Sequence, residues 1–278
     1  LGTITGSLRH ITYGYGGVQS KIYERARGET TAYDVSANMN LDKLLPQKAG
    51  LRIPVFASYE STLISPNFDP ANPDLRLAAA LASFNTEEER TNYRRLIQDR
   101  SVRRSLNFTN VRKVKVNKDA ATHIYDIENF AFTYAFSEAT QTNFNLRENT
   151  RRSVRGGVAW QYNSKFKGFE PFKESKGMKS PYLQLVKDFN FNPVPTNLTV
   201  RGDLDRSFNK MIYRNSVSDA QSALPNFQKF FIFNRTYNAR WSLTRALTVD
   251  YNARTNAIID EPTGDIDTRE KYDSVVSN

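Results

Sequence analysis

The most constraining feature of the sequence is a strict alternation of large and small side chains over residues 130–136. Aromatic residues occupy every second position, and Ala or Thr fill the positions between them. Successive side chains of a β-strand point to opposite faces, so this run gives a strand one broad apolar face and one small or polar face. At least five other segments repeat the period. The sequence therefore predicts an all-β fold built from two-faced strands.

Alternating segments recur along most of the chain. They predict nine antiparallel strands, at about 7–23, 33–41, 51–59, 104–116, 124–145, 153–163, 198–205, 231–243 and 247–259. Pro54 predicts an irregularity in the third strand, and Asn149 a turn. Only Thr244–Ala246 separates the last two strands, as in a tight hairpin. Because closed barrels usually have an even number of strands, nine strands predict an arc of a larger sheet and an internal piece of a longer protein.

Two segments interrupt this pattern. Residues 63–103 are predicted to form a loop excursion, in which Thr86 and Glu89 fit a capping box and predict a short helix at about 86–98. Residues 166–196 are predicted to form a second excursion, rich in Lys, Phe and Pro, with a short helix within 181–190. We treat residues 1–278 as a single segment of β-barrel wall with these two excursions.

Alternation alone fits two architectures, a membrane barrel with its apolar face outward and a soluble sandwich with its apolar face inward. No window approaches 18 consecutive apolar residues, which excludes a transmembrane helix, whereas a transmembrane strand needs only about 9 to 11 alternating residues. Several segments are longer than the strands of soluble proteins. We therefore predict an antiparallel transmembrane β-barrel segment, and a soluble β-sandwich binding module remains the alternative.

The membrane interpretation assigns residues to two surfaces. The polar positions predicted to line a hydrated lumen are Arg201, Asp203, Asp205, Arg240, Asp250 and Arg254. The apolar positions predicted to face lipid are Phe132, Tyr134, Trp160, Val200, Trp241 and Val249. Both sets follow from the alternation within their strands.

Residues for covalent chemistry are scarce. The chain has no cysteine, and His10 and His123 have no neighbours at metal-ligand spacing. We therefore predict no catalytic, cofactor-binding or metal site, and no enzyme activity. The net charge is +10, and a basic run from Arg90 to Lys115 makes an anionic partner an open alternative. Lipid head groups or lipopolysaccharide are preferred to nucleic acid, because acidic residues interrupt the run and no aromatic stacking platform accompanies it.

Several short stretches resemble the SprA family of cell-surface proteins, also called Sov. They lie at 38–46 with 50–54, 65–70 with 72–74, 107–113, 125–129, 187–192 and 259–262. The resemblance covers most of the chain. The sequence departs from the family at 56–58, where a strand richer in glycine is expected.

The resemblance implies a function and partners. The SprA family forms the outer-membrane translocon of the Bacteroidetes type IX secretion system, which is a very large single-chain barrel also linked to gliding motility. The implied partners are other parts of the same barrel, a smaller outer-membrane barrel of the PorV type, a periplasmic plug protein, and cargo with a C-terminal secretion domain. A TonB-dependent-type uptake barrel remains the alternative within the same architecture.

Overall fold

The computed structural model describes residues 2–16, 18–19, 26–116, 123–164, 168–171, 189–214, 224–262 and 264–265. Within these ranges the chain forms one antiparallel sheet. Most of the short helix expected within 181–190 falls outside the described residues.

The sheet contains nine long strands and one short strand. They are β1 (Gly2–Tyr15), β2 (Ala26–Asn40), β3 (Leu51–Arg52), β4 (Pro54–Pro66), β5 (Asp99–Lys113), β6 (Phe130–Thr142), β7 (Leu146–Asn163), β8 (Asn197–Tyr213), β9 (Asn226–Ser242) and β10 (Thr248–Ile258). The spatial order is β1-β2-β4-β5-β6-β7-β8-β9-β10, and β3 pairs with β5. Each long strand thus lies beside its neighbours along the chain. This open meander confirms the all-β prediction and fits a segment of a barrel.

The third predicted strand is interrupted at Pro54, as expected. β3 ends at Arg52 and β4 begins at Pro54, and both pair with β5. The register of β5 against β6 shifts between Phe108 and Val111, and Asn110 takes a left-handed conformation there with φ of 55°. This is the geometry of a β-bulge, which bends the strand locally. Close by, Gly50 has φ of 61° and accepts a hydrogen bond from the Val114 amide.

Some strand boundaries differ from the expected ones. The β6–β7 turn lies at residues 143–145, and Asn149 is inside β7, so the turn expected at Asn149 is wrong. Asn143 makes the turn because its side-chain carbonyl accepts the amides of Asn145 and Leu146 at 3.0 and 2.8 Å. Strand β1 also begins earlier than expected, at Gly2. The first excursion spans 67–98 between β4 and β5.

This excursion carries two helices, α1 (Leu77–Ala82) and α2 (Glu87–Ile97). The predicted capping box is present, because Thr86 Oγ1 accepts the Glu89 amide at 3.2 Å and the Glu89 carboxylate accepts the Thr86 amide at 3.3 Å. Leu81 of α1 and Ile97 of α2 are buried. None of the described helices combines the length and apolarity needed to cross a membrane.

The sheet is a single layer. Among the described residues only six hydrophobic side chains are buried, and three of them lie in the two helices: Val55, Ala80, Leu81, Ile97, Leu146 and Phe208. A soluble sandwich buries the apolar face of one sheet against a second sheet about 10 Å away. The described residues contain no second sheet. The apolar face of this sheet is therefore not covered in the way that the sandwich alternative requires.

Candidate functional site

The candidate site consists of the two faces of the sheet. Residues directly opposite each other on paired strands share a face, so the register traces each face across all nine long strands. We call the face that carries Phe132 and Val158 the apolar face, and the face that carries Ser137 and Ser153 the polar face. We call the end of the sheet near Pro66 and Asp99 the helix end, and the opposite end the loop end.

The apolar face exposes large side chains from β1 to β10. Its members more than a third exposed include Ile4, Leu8, Val35, Leu106, Phe132, Tyr134, Val158, Val200, Leu204, Val249 and Tyr251. Exposed apolar patches on soluble monomers rarely exceed a few hundred Å². A face of this extent indicates a surface that is covered by lipid or by another protein.

Aromatic side chains lie at the loop end and at mid-length of the apolar face. At the loop end, the indole N–H of Trp160 donates to the Ile124 carbonyl at 3.1 Å, and that of Trp241 donates to the Asn192 carbonyl at 2.8 Å. At mid-length of β2 and β4, the rings of Tyr33 and Tyr59 stack with centroids 6.0 Å apart. The two tryptophans at the loop end fit one of the aromatic belts that flank the lipid-facing band of membrane barrels.

The middle of the face follows this pattern only in part. Strand β8 places Leu204 there, whereas β6 places Tyr134 in the same cross-strand row, and Val200 lies opposite Trp160 near the loop end. The aromatic belt is therefore clearest at the two tryptophans of the loop end.

The polar face carries small polar side chains and exposed ion pairs. The Arg201 guanidinium donates to the Asp203 carboxylate at 2.6 and 2.9 Å, and Arg240 donates to Asp250 at 2.7 Å. Asp205 pairs at 3.1 Å with Arg155, a partner that the sequence did not indicate. Each of these three arginine side chains is more than half exposed.

The register separates the two predicted sets of residues. All six lumen candidates lie on the polar face: Arg201, Asp203, Asp205, Arg240, Asp250 and Arg254. All six lipid candidates lie on the apolar face: Phe132, Tyr134, Trp160, Val200, Trp241 and Val249. Arg254 makes no ion pair within the described ranges.

A row of charged residues crosses the apolar face near the helix end. Arg104, Glu138 and Arg152 lie directly opposite one another on β5, β6 and β7. The Glu138 carboxylate accepts from Arg104 at 2.6 Å and from Arg152 at 2.8 and 2.9 Å, and its side chain is only 9% exposed. The sequence analysis missed this row, although Glu138 continues the period-two series of Phe132, Tyr134 and Phe136.

The chain after β10 extends this row of charge. Glu261 pairs with Arg206 of β8, and Lys210 lies 3.3 Å from Glu148 and 3.4 Å from Asp265. The Lys229 ammonium of β9 donates to the Pro262 carbonyl at 2.5 Å. The four strand residues in these contacts all lie on the apolar face: Glu148, Arg206, Lys210 and Lys229. Residues 259–262 and 265 therefore lie over the helix end of that face at β8 and β9.

One cation lies away from the ends of the apolar face. Arg235 of β9 is opposite Gly202 and Thr255, and its guanidinium carbon lies 5.4 Å from the centre of the Phe233 ring. Its Nε is buried without a hydrogen-bond partner in the part of the chain that the structure describes. Beside it, Gly156 and Gly202 help to line an apolar depression of about 570 Å³. Contact with lipid alone does not explain why a guanidinium group lies at this position on the apolar face.

Carboxylates at the loop end are held ionised. The side-chain hydrogen bond from Lys115, followed by the backbone hydrogen bond from His123, lowers the pKa of Asp126. The pKa of Glu128 is lowered mainly by a backbone hydrogen bond and also by Lys113, which lies 3.1 Å away. In the first excursion, burial and a hydrogen bond to Asp69 raise the pKa of Tyr93 to about 12.

The basic run does not form a single patch. Arg94 and Arg95 lie on α2, Arg100 and Arg104 on the apolar face, and Arg103 on the polar face. Period-two alternation thus distributes the run over two faces, which argues against one continuous nucleic-acid surface. In the described ranges, no group of three or more His, Asp or Glu side chains is arranged to hold a metal ion.

Comparison with known proteins supports the resemblance seen in the sequence. Residues 1–81 match the SprA_N family, which is described as a motility related/secretion protein. The match runs from β1 through β4 into α1. A comparison with curated proteins gives no match. The family indicates a general role in secretion or motility, and a membrane-associated one. The match over the first 81 residues supports a protein of the SprA family.

Proposed function

We propose that this chain forms part of the wall of an outer-membrane β-barrel that translocates proteins in type IX secretion, with the accompanying link to gliding motility. The apolar face contacts lipid, and the polar face lines a hydrated conduit. The observation that carries the proposal is the pairing of an uncovered apolar face with a polar, charged face on the same nine strands.

The dimensions of the apolar band support contact with a bilayer. On β7, ten residues separate Arg152 in the charged row from Tyr162 near Trp160. At about 3.3 Å per residue this is about 33 Å along the strand. With the usual tilt of about 40°, it corresponds to about 25 Å across the membrane, the height of a barrel's apolar band.

The polar face suits the passage of a protein. Its ion pairs join neighbouring groups and leave both charge signs exposed to solvent. Between the pairs lie small side chains such as Ser105, Ser137 and Ser153. Across β5 to β8, this surface of mixed charge and small polar groups offers no continuous apolar patch to which a passing chain would adhere. In this mechanism the wall is passive, and no residue of the chain performs covalent chemistry.

The proposed partners follow from the family. They are the remaining strands of the same barrel, a smaller PorV-type barrel, a periplasmic plug and cargo with a C-terminal secretion domain. An uptake barrel is not proposed, since the family match is to a secretion protein.

Site-specific photocrosslinking in cells tests this function. A photoreactive amino acid replaces Ser137 or Ser153 on the polar face, or their chain neighbours Phe136 and Val154 on the apolar face. With cargo arrested during secretion, we expect crosslinks to cargo from the two serine positions and none from the two apolar positions. Cargo crosslinks from the apolar positions, or from neither pair, would contradict the proposal.

A further inference from the structure

We propose that the helix end of the apolar face binds the phosphate of an anionic lipid, held by Arg100 and Arg104. This inference rests on the proposed function, because it requires the apolar face to meet a membrane. The site is a shallow cavity of about 420 Å³ on the apolar face. Besides the two arginines, its polar lining comes from Tyr59, Thr140, Thr142 and Glu138.

The chemistry of the lining matches a phosphate group. Guanidinium groups form bidentate, charge-assisted hydrogen bonds with phosphate oxygens, and hydroxyl groups supply further donors. Arg100 is exposed and makes no ion pair within the described ranges, and the Arg104 side chain is 58% exposed beside Glu138. In the cavity lining, Arg100 and Arg104 carry two positive charges against the single negative charge of Glu138.

The position of the cavity favours a lipid over a free anion. Val35 and Leu106, which are both exposed, lie beside it toward the loop end. Tyr33 and Tyr59 stack at its edge. A phosphate held by the two arginines would thus stand at the boundary of the apolar band, with room for acyl chains along the band. A soluble phosphate would gain nothing from this apolar surface.

The same end of the apolar face shows a related arrangement at β8. There, the cations Arg206 and Lys210 meet the carboxylates of Glu261 and Asp265, which the chain supplies itself. At β4 and β5 the described residues supply no carboxylate to Arg100. The lipid phosphate would take the corresponding place at β5.

Native mass spectrometry of the full-length protein in detergent tests the inference with phosphatidylglycerol as the probe. The variants are Arg100→Gln and Arg100→Gln/Arg104→Gln, and the matched control is Arg103→Gln. Arg103 lies between them in sequence but on the polar face. We expect the double variant to weaken phosphatidylglycerol binding about tenfold, since it removes two charge-assisted contacts. Arg100→Lys should retain part of the binding, and Arg103→Gln should leave it unchanged.

Several results would overturn the inference. Equal binding by the double variant and the wild type would do so, as would equal weakening by Arg103→Gln. Loss of phosphatidylglycerol binding when inorganic phosphate is added at the same concentration as the lipid would indicate a site for small anions in general. Binding of a short DNA duplex that depends on Arg100, without such dependence for the lipid, would indicate nucleic acid instead. If the double variant misfolds, the binding measured for Arg100→Gln alone decides the test. If the apolar face contacts lipid and these variants have no effect, only this inference fails.

Discussion

The buried ion pairs of the apolar face differ from the exposed ion pairs of the polar face. On the apolar face, Arg152 and Arg206 are 30% and 16% exposed, and each meets a carboxylate that is at most 9% exposed. On the polar face, Arg155 and Arg240 are 67% and 64% exposed, with partners 29% and 46% exposed. Exposed pairs contribute little to stability, whereas removing one partner of a buried pair is costly. The same residue type thus has a structural role in the buried pairs of the apolar face and remains hydrated in the exposed pairs of the polar face.

The largest expected effect comes from placing a charge on the apolar face. Val158→Lys puts an ammonium group near the middle of that face, and should destabilise the protein in lipid by about 2 to 4 kcal/mol. Ala159→Lys puts the same group on the polar face, where we expect less than about 1 kcal/mol. Urea unfolding in lipid vesicles measures both. Similar losses of unfolding free energy for the two variants would contradict the assignment of the two faces.

The charged row offers the next largest effect. Glu138→Gln leaves Arg104 and Arg152 without their shared carboxylate, and should cost about 2 kcal/mol, because Arg104 remains accessible to solvent. Asp250→Asn on the polar face breaks an exposed pair, and should cost about 0 to 1 kcal/mol. The same unfolding assay ranks them. A larger loss for Asp250→Asn would reverse the roles that we assign to the two sets of ion pairs.

Trp160 tests the loop end of the apolar face. Trp160→Phe keeps an aromatic ring but removes the hydrogen bond to the Ile124 carbonyl, so we expect a loss of about 1 kcal/mol. Hydrogen exchange should be faster at residues 123–129, and unchanged at the helix end. Gln161→Ala on the polar face is the matched control, with no expected change in this loop. Unchanged exchange in Trp160→Phe would mean that the indole does not anchor the loop.

The smallest expected effect is a pH dependence of the same loop. Because Lys115 and the His123 amide lower the pKa of Asp126, the folded form prefers the carboxylate. Its stabilisation is therefore complete above the carboxyl group's ordinary pKa of about 4, and is lost as the pH falls through the lowered value. Hydrogen exchange at 123–129 should accelerate on acidification. Asp126→Asn should abolish this pH dependence, and its persistence would point to another group.

Alternation made most of the sheet predictable from sequence. Period two is a local property of the strand, so the strands around Phe132, Val200 and Val249 and the faces of their residues follow directly from the pattern. The capping box at Thr86 was equally local and is confirmed. Helix α1 was not predicted, since its N-cap is Arg76, which makes no side-chain capping hydrogen bond.

Features that depend on pairing between strands could not be predicted from the local alternation of the sequence. Glu138 lies opposite Arg104 and Arg152 only because of the register, which is set by turns such as the one at Asn143. The contacts of Glu261 with Arg206 join residues 55 positions apart. Ile11, Tyr13 and Tyr15 form an apolar run in β1, yet the register places them on the polar face.

The most direct test of the two-faced wall is spin-label accessibility in the full-length protein in lipid. Cysteine, which this chain lacks, replaces Val200 or Val249 on the apolar face, and Thr199 or Thr248 on the polar face. We expect labels at the two valines to collide with oxygen dissolved in the bilayer, and labels at the two threonines to collide with a water-soluble nickel complex. If the valine labels meet neither reagent, the apolar face is buried against protein, and the lipid-facing wall is contradicted.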